Sequence, residues 1–323
     1  MFLYVLMIIL GLILLVIGAE FLVNGASNIA IRFKIPELLI GLTIVALGTS
    51  APELIITITS AQSGYTDLII GNAIGSNFCN LLLILGLTAL IYPVKVSKET
   101  KHIHIPVAIF SALILLFMEV SSLISETSFL DRTDGIILVI FFSIYFLYPI
   151  FLEIKGIIQA YKENKSQKNG KQKNIFISIL LIALGVVLLK YGGDFVVDNA
   201  TSIARALNIS ERVIGLTIVA IGTAMPELVT SIIAAFKKDT DLAVGNLVGS
   251  CVLNIFLILG VGAIITPLEF STEFRQNVIL LAFATFILWL LNFVGKKNTI
   301  TRPKGLLLLC IFSIYIVKLF YVV

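Results

Sequence analysis

The chain has 323 residues, 59% of them hydrophobic and only 13% charged, with a mean hydropathy of +1.07, which excludes a soluble globular protein. The formal charge of +4 comes from basic residues scattered over short loops, so it excludes a nucleic-acid-binding surface. The three cysteines, Cys79, Cys251 and Cys310, all sit in apolar segments and read as packing residues rather than a disulfide framework or thiolate metal site.

In chain order, ten apolar segments are long enough to span a bilayer, since about 20 residues are needed. The first five lie near residues 3–24, 37–61, 68–92, 105–125 and 134–152. The first lacks the basic start and small-residue cleavage site of a signal peptide and is read as a spanning helix. Residues 153–174 form a polar, lysine-rich linker, too short for a folded regulatory domain. Five more segments follow near 175–198, 212–236, 242–266, 275–294 and 305–322. The predicted fold is an all-α polytopic membrane protein: a five-helix unit over 1–152, the 153–174 linker, and a second five-helix unit over 175–323. Of the 23 Lys and Arg residues, seventeen fall in loops on one side, six of them in the linker; only Arg132, Arg205, Arg212 and Arg275 fall on the other. The positive-inside rule then makes the linker cytoplasmic and puts both termini outside.

The two units are copies. Residues 11–86 align without a gap on 185–260, an offset of 174, with 37 of 76 positions identical. Because each unit has an odd number of spans, the second enters the membrane from the opposite side, which predicts inverted repeats related by an axis in the membrane plane. A duplication kept only for packing is the competing reading, but packing has no need of an acid at the same depth in each copy.

Those acids are Glu53 and Glu227, in GLTIVALGTSAPE and GLTIVAIGTAMPE. A charge at membrane depth costs about 2.5–3.5 kcal/mol or more, so each marks a functional site by default. Pro52 and Pro226 each precede the acid and cannot donate to the carbonyls of Gly48 and Gly222, so both helices are predicted to break within GT(S/A)xPE near the midplane. Irregular backbone at that depth must line a cavity or be buried in protein. The break offers Thr49, Ser50, Thr223 and free carbonyls as oxygen ligands beside the acids. In the following segment of each half, Asn72, Ser76 and Asn80, and likewise Asn246, Ser250 and Asn254, share one helix face at i, i+4, i+8. Ser76, Asn80, Ser250 and Asn254 are expected to oppose the broken helices; for Asn72 and Asn246 a role only in joining helices is the lesser alternative. The glycines at 71, 75, 245 and 249 allow close helix approach. All these donors are oxygens, which points to a hard cation, Na⁺ or Ca²⁺ rather than zinc or copper; Mg²⁺ fits less well because it sheds water reluctantly. Two carboxylates are neutralised by one Ca²⁺ or replaced by a few Na⁺, and mutually exclusive occupancy is the physical basis of exchange.

GTSAPE with GNAIGSNFCN, and GTAMPE with GNLVGSCVLN, resemble the paired α-repeats of the sodium/calcium exchanger family within the cation/calcium antiporters. The resemblance covers essentially the whole chain. It implies that Glu53, Glu227, Thr49 and Thr223 coordinate Ca²⁺. It further implies sodium sites formed by Ser50, Ser76, Ser250, the position of Ala224 and the carbonyls of Ala46 and Ala220, with Asn80 and Asn254 central. Two departures stand out: Ala224 occupies a position where the family commonly has Ser, and Asn254 one where some members carry Asp. The first removes a side-chain oxygen from a sodium site, and the second argues against potassium co-transport.

The function expected is a secondary antiporter, not an enzyme, in which Na⁺ and Ca²⁺ exchange by alternating access at one carboxylate site. A Ca²⁺/H⁺ antiporter is the alternative. A channel fits an inverted repeat with one midplane site poorly, and a hydrolase would need a nucleophile or metal beside the acids. No cofactor and no protein partner are expected; the ions are cargo and the bilayer is the environment. Compact length and a short linker point to a prokaryotic cell membrane. Lys190, Asp194 and Asp198 could form a helix-face ion pair near a span end, His102 and His104 read as a solvated pair, Lys318 as snorkelling, and Trp289 as an interface anchor.

Overall fold

The computed structural model describes residues 2–33, 35–122, 129–162, 174–207 and 220–321. Most of the linker, Arg212 and the start of the 212–236 segment lie outside the described residues. What is described is almost wholly helical: α1 (Phe2–Phe33), α2 (Glu37–Thr49), α3 (Ala51–Gln62), α4 (Thr66–Ile91), α5 (Ile105–Ser122), α6 (Arg132–Lys162), α7 (Ile175–Ala206), α8 (Ala220–Thr223), α9 (Met225–Phe236), α10 (Thr240–Ile265), α11 (Thr272–Leu291) and α12 (Arg302–Tyr321). Seven of the described helices are long and apolar enough to cross a membrane, eight if the bent pair α2 and α3 is one span. Helix bounds recur at the repeat offset: α3 begins at Ala51 and ends at Gln62, and α9 begins at Met225 and ends at Phe236.

Burial sorts the helices into layers. The most apolar stretches of α4 and α10 are 72% and 78% buried, against 22% for α1 and α7 and 11% for α6. The former pair is therefore the centre of the bundle, and the latter three turn apolar faces outward, as lipid-facing helices do. The large core gathers around α4 and α10, with Phe78, Ile69, Leu81, Leu247, Phe256 and Leu259 all essentially inaccessible. Two short antiparallel ribbons tie loops together: β1 (Val94–Lys95) pairs with β4 (Thr299–Ile300), and β2 (Phe129–Leu130) with β3 (Leu268–Glu269).

The longest seam joins α1 to α7 along glycines spaced by seven residues, Gly11, Gly18 and Gly25. Lipid supplies no hydrophobic drive between membrane helices, so close backbone approach has to hold such a pair. At Gly18 the approach is extreme: a Cβ there would lie 2.9 Å from the Gly185 carbonyl oxygen. Close approach is also found where α10 crosses α2, since a Cβ on Gly245 would lie 2.6 Å from the Leu38 oxygen. The equivalent partners of Gly71 and Gly75 fall at 212–216, outside the described residues.

One sequence expectation needs correction. His104 is not solvated: it is 6% exposed, and its Nδ1 lies 3.0 Å from the Tyr145 hydroxyl of α6, because the turn Thr100–His104 packs against α10. The indole N–H of Trp289 donates to the Lys101 carbonyl at 2.9 Å. The Lys190–Asp194 pair does form, at 2.7 Å.

Gly18→Val should lower the thermal unfolding midpoint in detergent by several degrees, since overpacking costs about 1–3 kcal/mol. Leu12→Val, on the outward face of the same helix, should leave it within a degree or two. Equal midpoints for both variants would contradict a close-packed seam.

Candidate cation site

Both broken helices break at the same place. Ser50 (φ −87°, ψ 6°) separates α2 from α3, and Ala224 (φ −85°, ψ 2°) separates α8 from α9. The helices on either side of Ser50 are bent by 45°. Pro52 and Pro226 sit in the first turn of the new helix, where a missing N–H leaves nothing unpaired. The Ser50 N–H still reaches the Ala46 carbonyl at 3.0 Å, and the ladder resumes when the Leu54 N–H donates to Ser50 O at 3.2 Å. Between them, the carbonyls of Leu47, Gly48 and Thr49 receive no backbone donor among the described residues. The predicted break is thus present in both halves, and it places Glu53 and Glu227 in the first turns of α3 and α9.

Around the breaks the two halves interlock. Ser50 donates from Oγ to Glu227 Oε1 at 2.9 Å, and its Oγ also lies 3.1 Å from Ser250 Oγ. Thr49 Oγ1 lies 3.1 Å from Asn246 Oδ1 and 3.3 Å from the Ala46 carbonyl. Asn246 in turn donates from Nδ2 to Ser231 Oγ at 3.2 Å. Thr223 reaches Asn72 Oδ1 at 3.4 Å. Glu53 and Glu227 are each 1% exposed.

A set of polar atoms here is both buried and without a hydrogen-bond partner: Oε2 of Glu53 and of Glu227, Ser76 Oγ, both amide atoms of Asn80, and Asn254 Oδ1. Leaving a buried polar group unpaired costs about 1–3 kcal/mol, and native proteins tolerate few. Six in one place, five of them oxygens, fit a site that coordinates a hard cation. Asn80 and Asn254 sit in π-helical stretches, Cys79–Ile84 and Asn254–Leu259, a local widening often found at functional positions. These stretches pack crosswise: that of Asn254 against α3, and that of Asn80 against α9.

Of the residues expected from sequence, Ser50, Ser250 and Glu227 are in direct contact, and Thr49 also lies within reach of the Glu227 carboxylate; Thr49 and Thr223 pair with Asn246 and Asn72 across the halves. Glu53, Ser76 and Asn80 are buried with partnerless atoms. The Ala46 carbonyl already accepts two donors, and Ala220 opens the short helix α8. Sequence reasoning missed Asn77, Thr57, Thr230 and Ser231, all at most 1% exposed. Thr57 and Ser231 stand four residues after the acids, so i, i+4 spacing on those helices would have found them.

The halves are not identical. Ser50 serves Glu227 and Ser250; its repeat equivalent, Ala224, has no hydroxyl, and Ser76 Oγ, which a serine there would face by symmetry, has no partner.

An oxygen-lined, doubly acidic site buried among apolar helices defines a multi-pass membrane protein that handles cations. The model of the family described as sodium/calcium exchanger protein matches residues 3–151 and 177–321, and the chain belongs to that family. It is 32% identical over 324 residues to the inner membrane protein YrbG of Escherichia coli, covering 98% of this chain and 96% of that one. It is 31% identical over 352 residues to the sodium/calcium exchanger MaX1 of Methanosarcina acetivorans, covering 98% of each. Its fold is similar to that of the sodium-calcium exchanger NCX_Mj soaked with 10 mM Na⁺ and no Ca²⁺, with a TM-score of 0.82, 31% identity, and coverage of 98% of this chain and 99% of that one. The protein is a cation/Ca²⁺ antiporter, and not an enzyme.

Ser50→Ala should weaken equilibrium ⁴⁵Ca²⁺ binding by the purified protein about tenfold, the worth of a hydrogen bond to a charged group. Unchanged affinity would remove Ser50 from the site.

Proposed function

We propose that the chain is a Na⁺/Ca²⁺ exchanger of the cell membrane that works by alternating access at one site shared by both ions. The observation that carries this reading is the set of partnerless buried oxygens drawn from both halves around Glu53 and Glu227. In this reading Glu53, Glu227, Thr49 and Thr223 hold Ca²⁺. Ser50, Ser76, Ser250 and the carbonyls of Ala46 and Ala220 extend the site for Na⁺, and Asn80 and Asn254 stand at its centre. Two carboxylates present a charge of −2, which one Ca²⁺ balances or several Na⁺ take over, so the ions exclude one another. No resident cofactor is required.

The architecture we infer is ten transmembrane helices in two inverted five-helix repeats, over 1–152 and 175–323, with the 153–174 linker in the cytoplasm and both termini outside. Support for the count comes from adding α9, with its undescribed approach, and the twenty-residue α12 to the eight spans. Support for the sidedness comes from the ribbons. β1 and β4 join two lysine-rich loops, and β2 and β3 join two loops of the other set. Inverted repeats carry alternating access when one half adopts the conformation the other leaves. The Thr49–Asn246 contact at 3.1 Å and its repeat equivalent, Thr223–Asn72 at 3.4 Å, differ in length, which supports halves in unlike conformations.

A Ca²⁺/H⁺ antiporter is the second reading, and Ala224 is the observation that favours it, since that flank lacks the hydroxyl that Ser50 supplies to the other. In proteoliposomes, ⁴⁵Ca²⁺ uptake should follow an outward Na⁺ gradient and not an H⁺ or K⁺ gradient. Ala224→Ser should lower the Na⁺ concentration for half-maximal uptake severalfold. Uptake driven by H⁺ alone in the wild type would overturn sodium coupling and establish the second reading.

A further inference from the structure

We propose that Asn77 is a positioning residue that fixes Asn254 as an oxygen ligand at the centre of the cation site; the proposal rests on the cation-site reading above. Asn77 is 1% exposed and belongs to no part of the acid motifs. It donates from Nδ2 to the Cys251 carbonyl at 3.1 Å, and its Oδ1 accepts from Asn254 Nδ2 at 3.0 Å.

The order of this chain follows from what each group can do. A backbone carbonyl only accepts, so it must face the NH₂ of Asn77. The Asn77 oxygen therefore faces Asn254, and Asn254 must answer with its own NH₂. That leaves Asn254 Oδ1, buried and without a donor, as the only atom of the amide available to a cation. One carbonyl thus sets two amides, and the cation meets an oxygen instead of an NH₂ group.

The other half has a weaker device. Asn80, the repeat equivalent of Asn254, has neither amide atom in a hydrogen bond of ordinary geometry, and its side chain lies against the thiol of Cys251, the repeat equivalent of Asn77. A thiol is only a weak donor and a weak acceptor, so it does not sort the two ends of an amide as a carboxamide does. The two asparagines are therefore unlike ligands: Asn254 is held in one orientation by a carboxamide, and Asn80 is held only by a thiol. The Asn77 contact also has a special place. In an inverted repeat, a residue that touches its own equivalent lies at the pseudo-two-fold axis, where a single central ion would sit. Asn77 does this through the Cys251 backbone. Without the clamp, Asn254 can turn its NH₂ toward the ion, so Asn77 tunes affinity and selectivity without touching the cation.

The test is equilibrium ⁴⁵Ca²⁺ binding to the purified full-length protein in detergent, with no gradient. Asn77→Leu is measured alone, with Asn254→Leu, and with Asn80→Leu, with thermal midpoints recorded for each. Asn77→Leu should weaken binding about tenfold, the worth of one oriented hydrogen bond. The same tenfold loss should appear in the Asn80→Leu background and fall below twofold in the Asn254→Leu background. A general loosening of the bundle would cost the same in every background, and that result, or no loss in any, overturns the proposal. Asn77→Ser replaces Asn77→Leu throughout if the leucine variant does not fold, with the same pattern expected. Glu53→Gln and Glu227→Gln separate this proposal from its parent. If they bind Ca²⁺ as the wild type does, the cation-site reading falls and this proposal with it. If they lose Ca²⁺ while the Asn77 variants keep it, only the role of Asn77 falls.

Discussion

Two carboxylates buried at the centre of an apolar bundle are the constraint to which the rest of the molecule answers. Neither has a basic partner among the described residues, and each leaves an oxygen without a donor. Such an arrangement is unfavourable alone and becomes favourable when a cation supplies the missing charge. The breaks at Ser50 and Ala224 bring carbonyls and hydroxyls to the depth of the acids, and the most buried helices, α4 and α10, bring two stripes of serine and asparagine against them. Outside this centre the bundle is held mainly by backbone contacts at glycine and by apolar packing, neither of which adds polar groups that would compete for the ion.

Cross-half bonding is the second theme. Ser50 reaches Glu227, Thr49 reaches Asn246, Thr223 reaches Asn72, and Asn254 reaches Asn77. Neither half can complete the site alone. A relative movement of the halves therefore changes the coordination of the ion, which is the coupling that an antiporter requires. The departures from symmetry, Ala224 opposite Ser50 and Cys251 opposite Asn77, act on that shared centre and distinguish its two flanks.

The parts of this design that obey local rules were legible in the sequence. A proline one residue before an acid, inside an apolar run, marked each break, and the i, i+4, i+8 stripes marked the faces of α4 and α10. Nothing local names α7 as the partner of the glycines at 11, 18 and 25. Ser50 donating to Glu227 spans 177 residues and depends on how the two breaks nest, which no spacing rule contains. Asn77 escaped notice because its neighbours Ser76 and Asn80 carried the periodic pattern, and its partner is a backbone carbonyl in the other half. His104 was misjudged for the same reason, since Tyr145, 41 residues on, removes it from solvent. The linker and the approach to α8, outside the described residues, left those sequence expectations where they stood.

If one doubly acidic site is shared by both ions, Na⁺ titrated against ⁴⁵Ca²⁺ bound to the purified protein at fixed pH should displace it completely, with a slope steeper than one Na⁺ per Ca²⁺. Glu227→Gln should show no specific Ca²⁺ binding to displace. Calcium that stays bound at saturating Na⁺ would contradict a shared site.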